Sequence, residues 1–483
     1  MARKSLSANH HLYELSSMFW ERELSSVNDT IARLLTKRDN LNGEVLAHKA
    51  LLAPARLLLP ELISEVFTHS VNCIPPAQGG LDNNKALCRF AIPSVNEAPL
   101  VLGQVCRLWR EIALSTPSLW STISIPRSFS IRGLREWISR AGSRNLSFSL
   151  LLGRTNTDIS DLLASYQQRW SDVVVGFNSS QMESGRKFVE TLSSEYHNLQ
   201  TSEICAWGSH ADDIPLVIGS APHLRHLIVH DSSFKVTTLD NSPPLCLWEI
   251  DVRCAWWMLS KDWITLLRLS PAVQVVRTQV LNRVHYYEPH HDILTLLALK
   301  HMFIIVQYQD DQSFCVLERI FVPALEELSF RISLDRVPEF YRPQIKSLIH
   351  RSRPPLKVLR VWGGSYLPLI DIMECLPFLP LLSTLHLHEL EGKLDGLIDA
   401  LTGPMPPFND DLPGCLCPEL NVLYFNSTHY IPAQPVINMI LSRSHSERSG
   451  LAHVTVRSCP EREVLADPRI IGCIENGLKF ECN

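Results

Sequence analysis

The feature that most constrains the fold is an apolar pattern that recurs along the second half of the chain. Each copy has an apolar residue, two variable residues, an apolar residue, one variable residue and an apolar residue, as in Leu356, Leu359 and Val361. The copies begin at Leu224, Leu247, Val273, Leu299, Leu325, Leu356, Leu382 and Leu420, and four of the seven gaps are 26 residues. Fainter copies begin at Trp170 and Leu199. Such equal spacing predicts a stack of similar units, each containing a strand.

Helix-like segments follow three of the copies, at 262–269, 343–351 and 434–443. A unit of strand, turn, helix and return cannot bury its own apolar face, whereas a stack of units can. A gap near 26 lies within the range of about 20–29 residues that leucine-rich repeats show. We therefore expect an α/β fold, with a leucine-rich-repeat solenoid (horseshoe) over 121–483. An ordinary α/β domain with leucine-rich strands is the alternative.

The N-terminal part has two different patterns. Residues 1–20 are polar and irregular, and we expect them to be flexible. A helical period then covers an expected leader helix at 21–54, whose seam is Leu24, Val27, Ile31, Leu34, Arg38, Leu41, Val45, His48 and Leu52. Either this helix packs on its own protein as a single amphipathic helix, or it associates weakly with a second copy through 24–52 as a coiled coil.

Two further helical segments flank an irregular excursion at 73–97. Pro60 suits the first turn of a helix and Glu61 suits the positive end of its dipole. Leu62, Ile63, Val66 and Phe67 then predict one apolar face, and the second segment places Val101, Val105, Leu108, Trp109 and Ile112 on one side. We expect these segments to form a small helical domain at 55–120.

This stretch resembles the F-box. The matching residues are Leu59-Pro60-Glu61, Ile63 and Phe67, then Val105-Cys106-Arg107, Trp109-Arg110 and Ile112-Ala113. The tail at 115–120 is similar to an F-box-like variant found in mushroom-forming fungi, which carries degenerate leucine-rich repeats behind it. Leu58 and the long excursion at 73–97 depart from the family pattern. The excursion leaves the first helix intact, and it would alter adaptor affinity if it folded across the docking face.

The resemblance implies a three-helix F-box-like domain in a substrate-recognition subunit of an SCF-type (cullin–RING) ubiquitin ligase. Its partners would be the adaptor subunit, the cullin reached through that adaptor, and an unknown client protein. The adaptor-binding residues carried over are Leu59, Pro60, Glu61, Ile63, Phe67, Val105, Trp109 and Ile112. Such a receptor has no catalytic residues of its own.

Strand alternation predicts a second surface. Because successive side chains of a strand point to opposite faces, the residues between the apolar positions share one face. They are Ile228, Asp251, Arg277, Phe303, Ser329, Arg360, His386 and Tyr424, followed by His230, Arg253, Arg331, Trp362 and His388. We expect a client site of Arg277, Phe303, Arg331, Arg360, Trp362, His386 and Tyr424 for an acidic or phosphorylated segment. The alternative is a solvated face of mixed polarity.

Composition narrows the function classes. Lys plus Arg is 45 against 50 Asp plus Glu, so no global basic excess indicates nucleic-acid binding. No secretory signal and no apolar stretch of bilayer length occur, which predicts a cytoplasmic or nuclear protein without membrane contact. The 13 cysteines follow no disulfide spacing and suggest reduced thiols.

Motifs for chemistry are missing from the sequence. It contains no phosphate-binding glycine loop, nucleophile elbow or zinc-protease helix motif. Cys415-Leu-Cys417 and His386-Leu-His388 lack the spacing of a metal site. We therefore expect no metal, no cofactor and no enzyme activity. The alternatives are a leucine-rich-repeat scaffold without ligase association and an α/β enzyme with unrecognised motifs.

Overall fold

A computed structural model describes most of the chain. The described residues are 2–51, 58–72, 90–153, 157–192, 196–207, 214–218, 221–230, 234–238, 244–253, 258–282, 293–308, 316–334, 344–362, 369–390, 394–403, 416–444 and 450–482. They form two compact units. The helical unit comprises Met1–Ser70 and Leu102–Leu114, and the sheet unit comprises Val71–Val101 and Ser115–Asn483.

The helical unit begins with one long helix. Its helices are α1 (Ala2–Leu51), α2 (Pro60–Asn72), α3 (Leu102–Val105) and α4 (Arg107–Leu114). The prediction of an irregular segment at 1–20 was wrong, because α1 begins at Ala2 and continues without a break. No Pro or Gly precedes Gly43 in α1, so nothing in the backbone chemistry interrupts it. Pro54, which we expected to end this helix, lies outside the described residues.

Helix α2 packs through one stripe only. Pro60 is its first residue and Glu61 lies in its first turn, as expected for a helix N-terminus. Ile63 and Phe67, four residues apart, are buried. The Phe67 ring meets the Trp109 ring edge to face at 4.9 Å between centroids, which places α2 beside α4.

The sheet unit is built on a parallel sheet of fifteen strands. Its strands are β1 (Thr122–Ile125), β2 (Leu146–Leu151), β3 (Trp170–Asn178), β4 (Thr201–Trp207), β6 (His226–His230), β8 (Glu249–Arg253), β9 (Met258–Leu259), β10 (Val275–Asn282), β12 (His301–Tyr308), β14 (Glu327–Leu334), β15 (Val358–Trp362), β16 (Thr384–Leu390), β17 (Val422–Ser427), β18 (His453–Arg457) and β19 (Lys479–Glu481). Two small sheets pair β5 (Ile214–Ile218) with β7 (Phe234–Thr238), and β11 (Leu294–Thr295) with β13 (Ile320–Phe321). Apart from β9, which pairs with β10, the order of strands across the large sheet follows their order along the chain.

Helices connect many of these strands. They are α5 (Ile131–Arg140), α6 (Thr157–Ala164), α7 (Met182–Leu192), α8 (Ser260–Leu269), α9 (Gln344–Ser352), α10 (Leu369–Cys375), α11 (Asp395–Leu401), α12 (Ala433–Ser444), α13 (Glu461–Leu465) and α14 (Pro468–Glu475). The helices expected at 262–269, 343–351 and 434–443 are confirmed as α8, α9 and α12. The fold is therefore mixed α/β, with an N-terminal helix and a large parallel sheet.

The apolar repeat forms the core of the sheet unit. The first positions of all eight copies are at most 3% exposed. The strands expected from the repeat are confirmed, because each of the eight copies ends in a strand of the large sheet. Strand β2 has no copy of the repeat and was not predicted.

The F-box-like stretch at 55–120 is divided between the two units. Residues 71–101 and 115–120 belong to the sheet unit. There the Ser124 hydroxyl accepts from the Phe90 N–H and donates to the Phe90 carbonyl, each at 3.0 Å, and the Ser124 N–H donates to Ala91. The end of the excursion at 73–97 therefore lies beside β1, whereas 73–89 lies outside the described residues.

Candidate functional site

Helix α2 exposes a second apolar stripe. Leu59, just before the helix, and Leu62 and Val66 within it are each more than half exposed. Their spacing of three and four residues places them on one face. The single apolar face expected from the sequence is therefore two stripes, one buried through Ile63 and Phe67 and one open through Leu59, Leu62 and Val66.

The second half of the F-box-like stretch shows the same division. Val105 is more than half exposed, whereas Ile112 is buried and Trp109 is partly covered. Of the eight residues expected to contact an adaptor, Leu59, Pro60, Glu61 and Val105 are exposed, and Ile63, Phe67 and Ile112 are buried. Leu62, Val66 and Leu108 are exposed residues that were not in this set, although the helical period already placed them in the apolar stripes.

The polar face of the large sheet is the second candidate surface. Neighbouring strands align Ile228 with Asp251, Asp251 with Arg277, Arg277 with Phe303, Phe303 with Ser329, Ser329 with Arg360, Arg360 with His386, and His386 with Tyr424. The residues expected to share a face therefore form one continuous row across eight strands. The next row contains Trp362 opposite Arg331 and His388 opposite Trp362.

A carboxylate cluster occupies the β6–β10 end of this face. We define it as Glu249 and Asp251 with the cations around them. Arg277 pairs with Glu249 and approaches Asp251 at 3.8 Å, and Arg253 donates to both Asp251 oxygens at 2.7 and 2.9 Å. Arg277, expected to bind a client, thus already holds two carboxylates of its own chain.

Asp251 is the buried centre of this cluster. Burial alone would raise the pKa of its carboxyl, but the neighbouring His230 and Arg253 outweigh burial and hold that pKa below its usual value. The stability that this group contributes is therefore present above its unfolded-state pKa near 3.8 and is lost as pH falls through the lower folded-state value. The Asp251 carboxyl therefore stays ionised at neutral pH, and its ion pairs join adjacent strands.

A ring cluster occupies the β12–β17 end of the face. It consists of Phe303, Trp362, His386, His388 and Tyr424. The Trp362 and His388 rings stack with centroids 4.9 Å apart and planes at 12°, and His388 lies 4.5 Å from Tyr424. Phe303 meets Trp362 at 6.3 Å and His386 meets Tyr424 at 5.5 Å. Partly exposed rings at these distances form a surface on which a flat or extended ligand can stack.

His386 is uncharged at neutral pH. Burial among the rings, reinforced by the positive charge of Arg360, lowers the pKa of His386 to about 4. The pKa of His388 is also lowered, mainly by burial. Both imidazoles of the ring cluster are therefore uncharged at neutral pH.

The low pKa of His386 predicts a loss of stability in mild acid. Between pH 6.5 and about 4 the unfolded chain binds a proton that the folded chain excludes, so the free energy of unfolding falls as pH falls. After allowance for partial exposure, we expect this group to contribute about 1 kcal/mol of the decrease between pH 7 and pH 5. Urea unfolding at both pH values should show a smaller decrease for His386→Gln than for the wild type. Replacing exposed His223 by Gln should leave the wild-type decrease unchanged, and an equal effect of both variants would contradict the assignment.

An open pocket of about 610 Å³ lies between the two clusters. Arg253, Arg277 and Arg360 line it against one carboxylate, Glu327, and Phe303 supplies an aromatic wall. Arg360 lies 4.0 Å from Glu327, and Arg331 forms no ion pair with any residue of the described ranges. Glu249, His301 and Glu327 were not in the expected site, although each lies two residues before a face position.

The described residues include several His, Cys, Asp and Glu side chains that could in principle bind a metal or act as nucleophiles. No three or more His, Cys, Asp and Glu side chains in those ranges have the geometry of a metal site. Cys415 lies outside the described residues, and Cys417 is buried. Burial raises the pKa of both Cys375 and Cys459 to about 12, so neither is a thiolate at neutral pH.

No protein-family model matches the sequence, and no curated protein matches it. None of the helices in the described ranges combines the length and apolar character needed to cross a membrane.

Proposed function

We propose that this chain is the substrate-recognition subunit of an SCF-type (cullin–RING) ubiquitin ligase. The observation that carries the proposal is the open apolar stripe Leu59, Leu62 and Val66, which lies within the F-box-like stretch. Aliphatic side chains left open on one helix face are typical of a docking site, and a few such anchors supply most of the binding energy. In this proposal the stripe contacts the adaptor, while Ile63, Phe67 and Ile112 hold the helices together.

The proposal includes a leucine-rich-repeat horseshoe in the sheet unit. A doubly wound sheet reverses its strand order at a switch point, whereas a solenoid adds strands in chain order. Two observations support the solenoid. The order of strands in the large sheet follows their order along the chain, apart from β9, and four of the seven gaps between apolar copies are 26 residues. Its polar face is then an extended surface for a client protein.

The receptor contributes no chemistry of its own in this account. It holds a client near a ubiquitin-charged enzyme carried elsewhere in the ligase, which raises the effective concentration of the reacting groups. Such a protein acts in the cytoplasm or nucleus, and it requires neither a metal nor a cofactor.

Adaptor co-purification tests the proposal. We expect wild type to retain the adaptor, and Leu59→Glu/Leu62→Glu to weaken binding roughly 100-fold, because two charges enter an apolar interface. Leu297→Glu is the matched control, since Leu297 is 68% exposed and Leu59 is 63% exposed. A wild type that binds no adaptor overturns the ligase proposal and favours a repeat scaffold without ligase association. Equal binding by all three proteins overturns the docking stripe.

The client part of the proposal concerns an acidic segment that binds Arg331 and Arg360. Because Arg277 already pairs with Glu249, its reversal would damage the sheet, so it is left unchanged. We expect Arg331→Glu/Arg360→Glu to bind a fluorescein-labelled hexaglutamate peptide about 10-fold more weakly than wild type does in fluorescence polarisation. Arg132→Glu/Arg135→Glu, on α5, makes the same change of charge elsewhere. If both double variants weakened peptide binding equally, the effect would come from net charge alone, and the proposed site would be refuted.

A further inference from the structure

Helix α1 exposes a long apolar seam. Every residue from 17 to 49 is exposed, and the seam over this range consists of Leu24, Val27, Ile31, Leu34, Arg38, Leu41, Val45 and His48. Helices in proteins owe most of their stability to packing of an apolar face, and monomeric proteins rarely leave such a stripe in water. The seam therefore requires a partner surface.

We propose that a second copy of this chain covers the seam, in a parallel, in-register coiled coil over residues 24–48. With Leu24 at the first heptad position, Ile31 and Val45 occupy a positions and Leu34 and Leu41 occupy d positions. β-branched residues at a with leucine at d favour two parallel strands over three or four. The proposal does not depend on the proposed ligase function.

The residues flanking the seam fit a parallel pair. In that arrangement each g residue faces the e residue of the following heptad on the other helix. Glu44 then faces Lys49 of the second copy, and symmetry repeats this attractive pair. The remaining pairs are Glu23 with Asn28, Thr30 with Leu35, and Lys37 with Asn42, and none brings like charges together.

The charge of Arg38 and the glycine at position 43 are both compatible with this dimer. Arg38 occupies an a position, but its guanidinium bonds Asp39 on its own helix through Nε at 2.9 Å and Nη2 at 2.7 Å. The carboxylate reduces repulsion between the two arginines, and a single polar a residue is typical of dimers whose register is fixed. Gly43 falls at the f position, farthest from the seam, and a Cβ there would meet nothing within 4 Å.

Light scattering on the full chain measures the dimer directly. At micromolar concentration we expect wild type to have twice the chain mass of 54.8 kDa. Leu34→Glu, at a d position, should have the single-chain mass, because it buries two unpaired charges in one layer. Leu46→Glu, at a b position outside the seam, should remain dimeric. The two leucines are matched, being 61% and 66% exposed.

Three further variants test the geometry. Leu34→Cys should form a disulfide between copies under oxidation, because d positions of a parallel pair bring the Cβ atoms together, whereas Leu46→Cys should match the wild-type background. Arg38→Ile should tighten the dimer at least roughly 10-fold by removing the charged layer. A wild type of single-chain mass at tens of micromolar overturns the proposal, as does equal dissociation by both glutamates or a Leu34→Cys protein that does not cross-link.

Discussion

Trp170→Ala should lower the free energy of unfolding of the sheet unit by about 4 kcal/mol, the largest loss that we expect from one substitution. Trp170 is fully buried and stacks on Phe188 at 5.4 Å and on Tyr196 at 5.6 Å, while Phe148 meets it edge to face at 5.3 Å. Its indole N–H donates to the Leu163 carbonyl at 3.1 Å. Truncation leaves a cavity among three aromatic rings and removes one donor of the Leu163 carbonyl, which still accepts from the Tyr166 N–H at 2.9 Å.

Urea unfolding followed by circular dichroism measures this loss. Trp248→Ala is the control, because Trp248 is 43% exposed and its only ring contact among the described residues is with His226. We expect that control to change stability by less than about 1 kcal/mol. Similar losses for both variants would show that the aromatic cluster does not anchor the first strands of the sheet.

Arg443→Met should be the second most damaging substitution, with a loss of about 3 kcal/mol. Arg443 is fully buried near the end of α12 and donates to the carbonyls of Leu401 at 2.8 Å, Cys417 at 3.1 Å and Leu416 at 2.6 Å. Methionine keeps much of the apolar stem but removes the charged donor from three carbonyls, of which that of Cys417 still accepts from the Leu420 N–H. The guanidinium thus links α12 to the end of α11 and to the residues just before β17.

Thermal and urea unfolding of two further arginine variants would test this interpretation. Arg351 donates to the carbonyls of Leu317 and Ile320 in the same manner but is only partly buried, so Arg351→Met should have a smaller effect. Arg469→Met removes an exposed pair with Asp467 and should change stability by less than about 1 kcal/mol. If Arg443→Met lowered stability no more than Arg469→Met does, the proposed role of Arg443 in linking these elements would be wrong.

The strands and the polar face could be predicted because both follow from short periods. A strand alternates its faces every residue, so fixing Leu359 and Val361 in the core fixes Arg360 on the opposite face. Because the copies share one pattern, the residues between their apolar positions could be expected to form a row across neighbouring strands. The sequence could not show that Arg277 is already paired and therefore less available to a client. Its partner Glu249 is 28 residues away and becomes a neighbour only through the register of β8 and β10.

In the helical unit, the sequence could not predict which apolar residues are buried. The helical period identified the apolar positions of α2, but it does not say which neighbour covers which position. The Phe67–Trp109 contact buries one stripe and leaves Leu59, Leu62 and Val66 open. At the N-terminus the polar composition suggested an irregular chain, although the Ala, Leu, Met, Arg, Lys and Glu residues of this stretch favour helix and no Pro or Gly interrupts it.

Hydrogen exchange of the wild-type chain, with and without purified adaptor, tests the central claim most directly. Exchange reports protection segment by segment and does not depend on a variant that folds correctly. We expect adaptor to slow exchange at 58–66 and 102–108, around the open stripe, and to leave α5 at 131–140 unchanged. Unchanged exchange at 58–66 in the presence of excess adaptor would contradict the proposal that this chain docks as an F-box-like receptor.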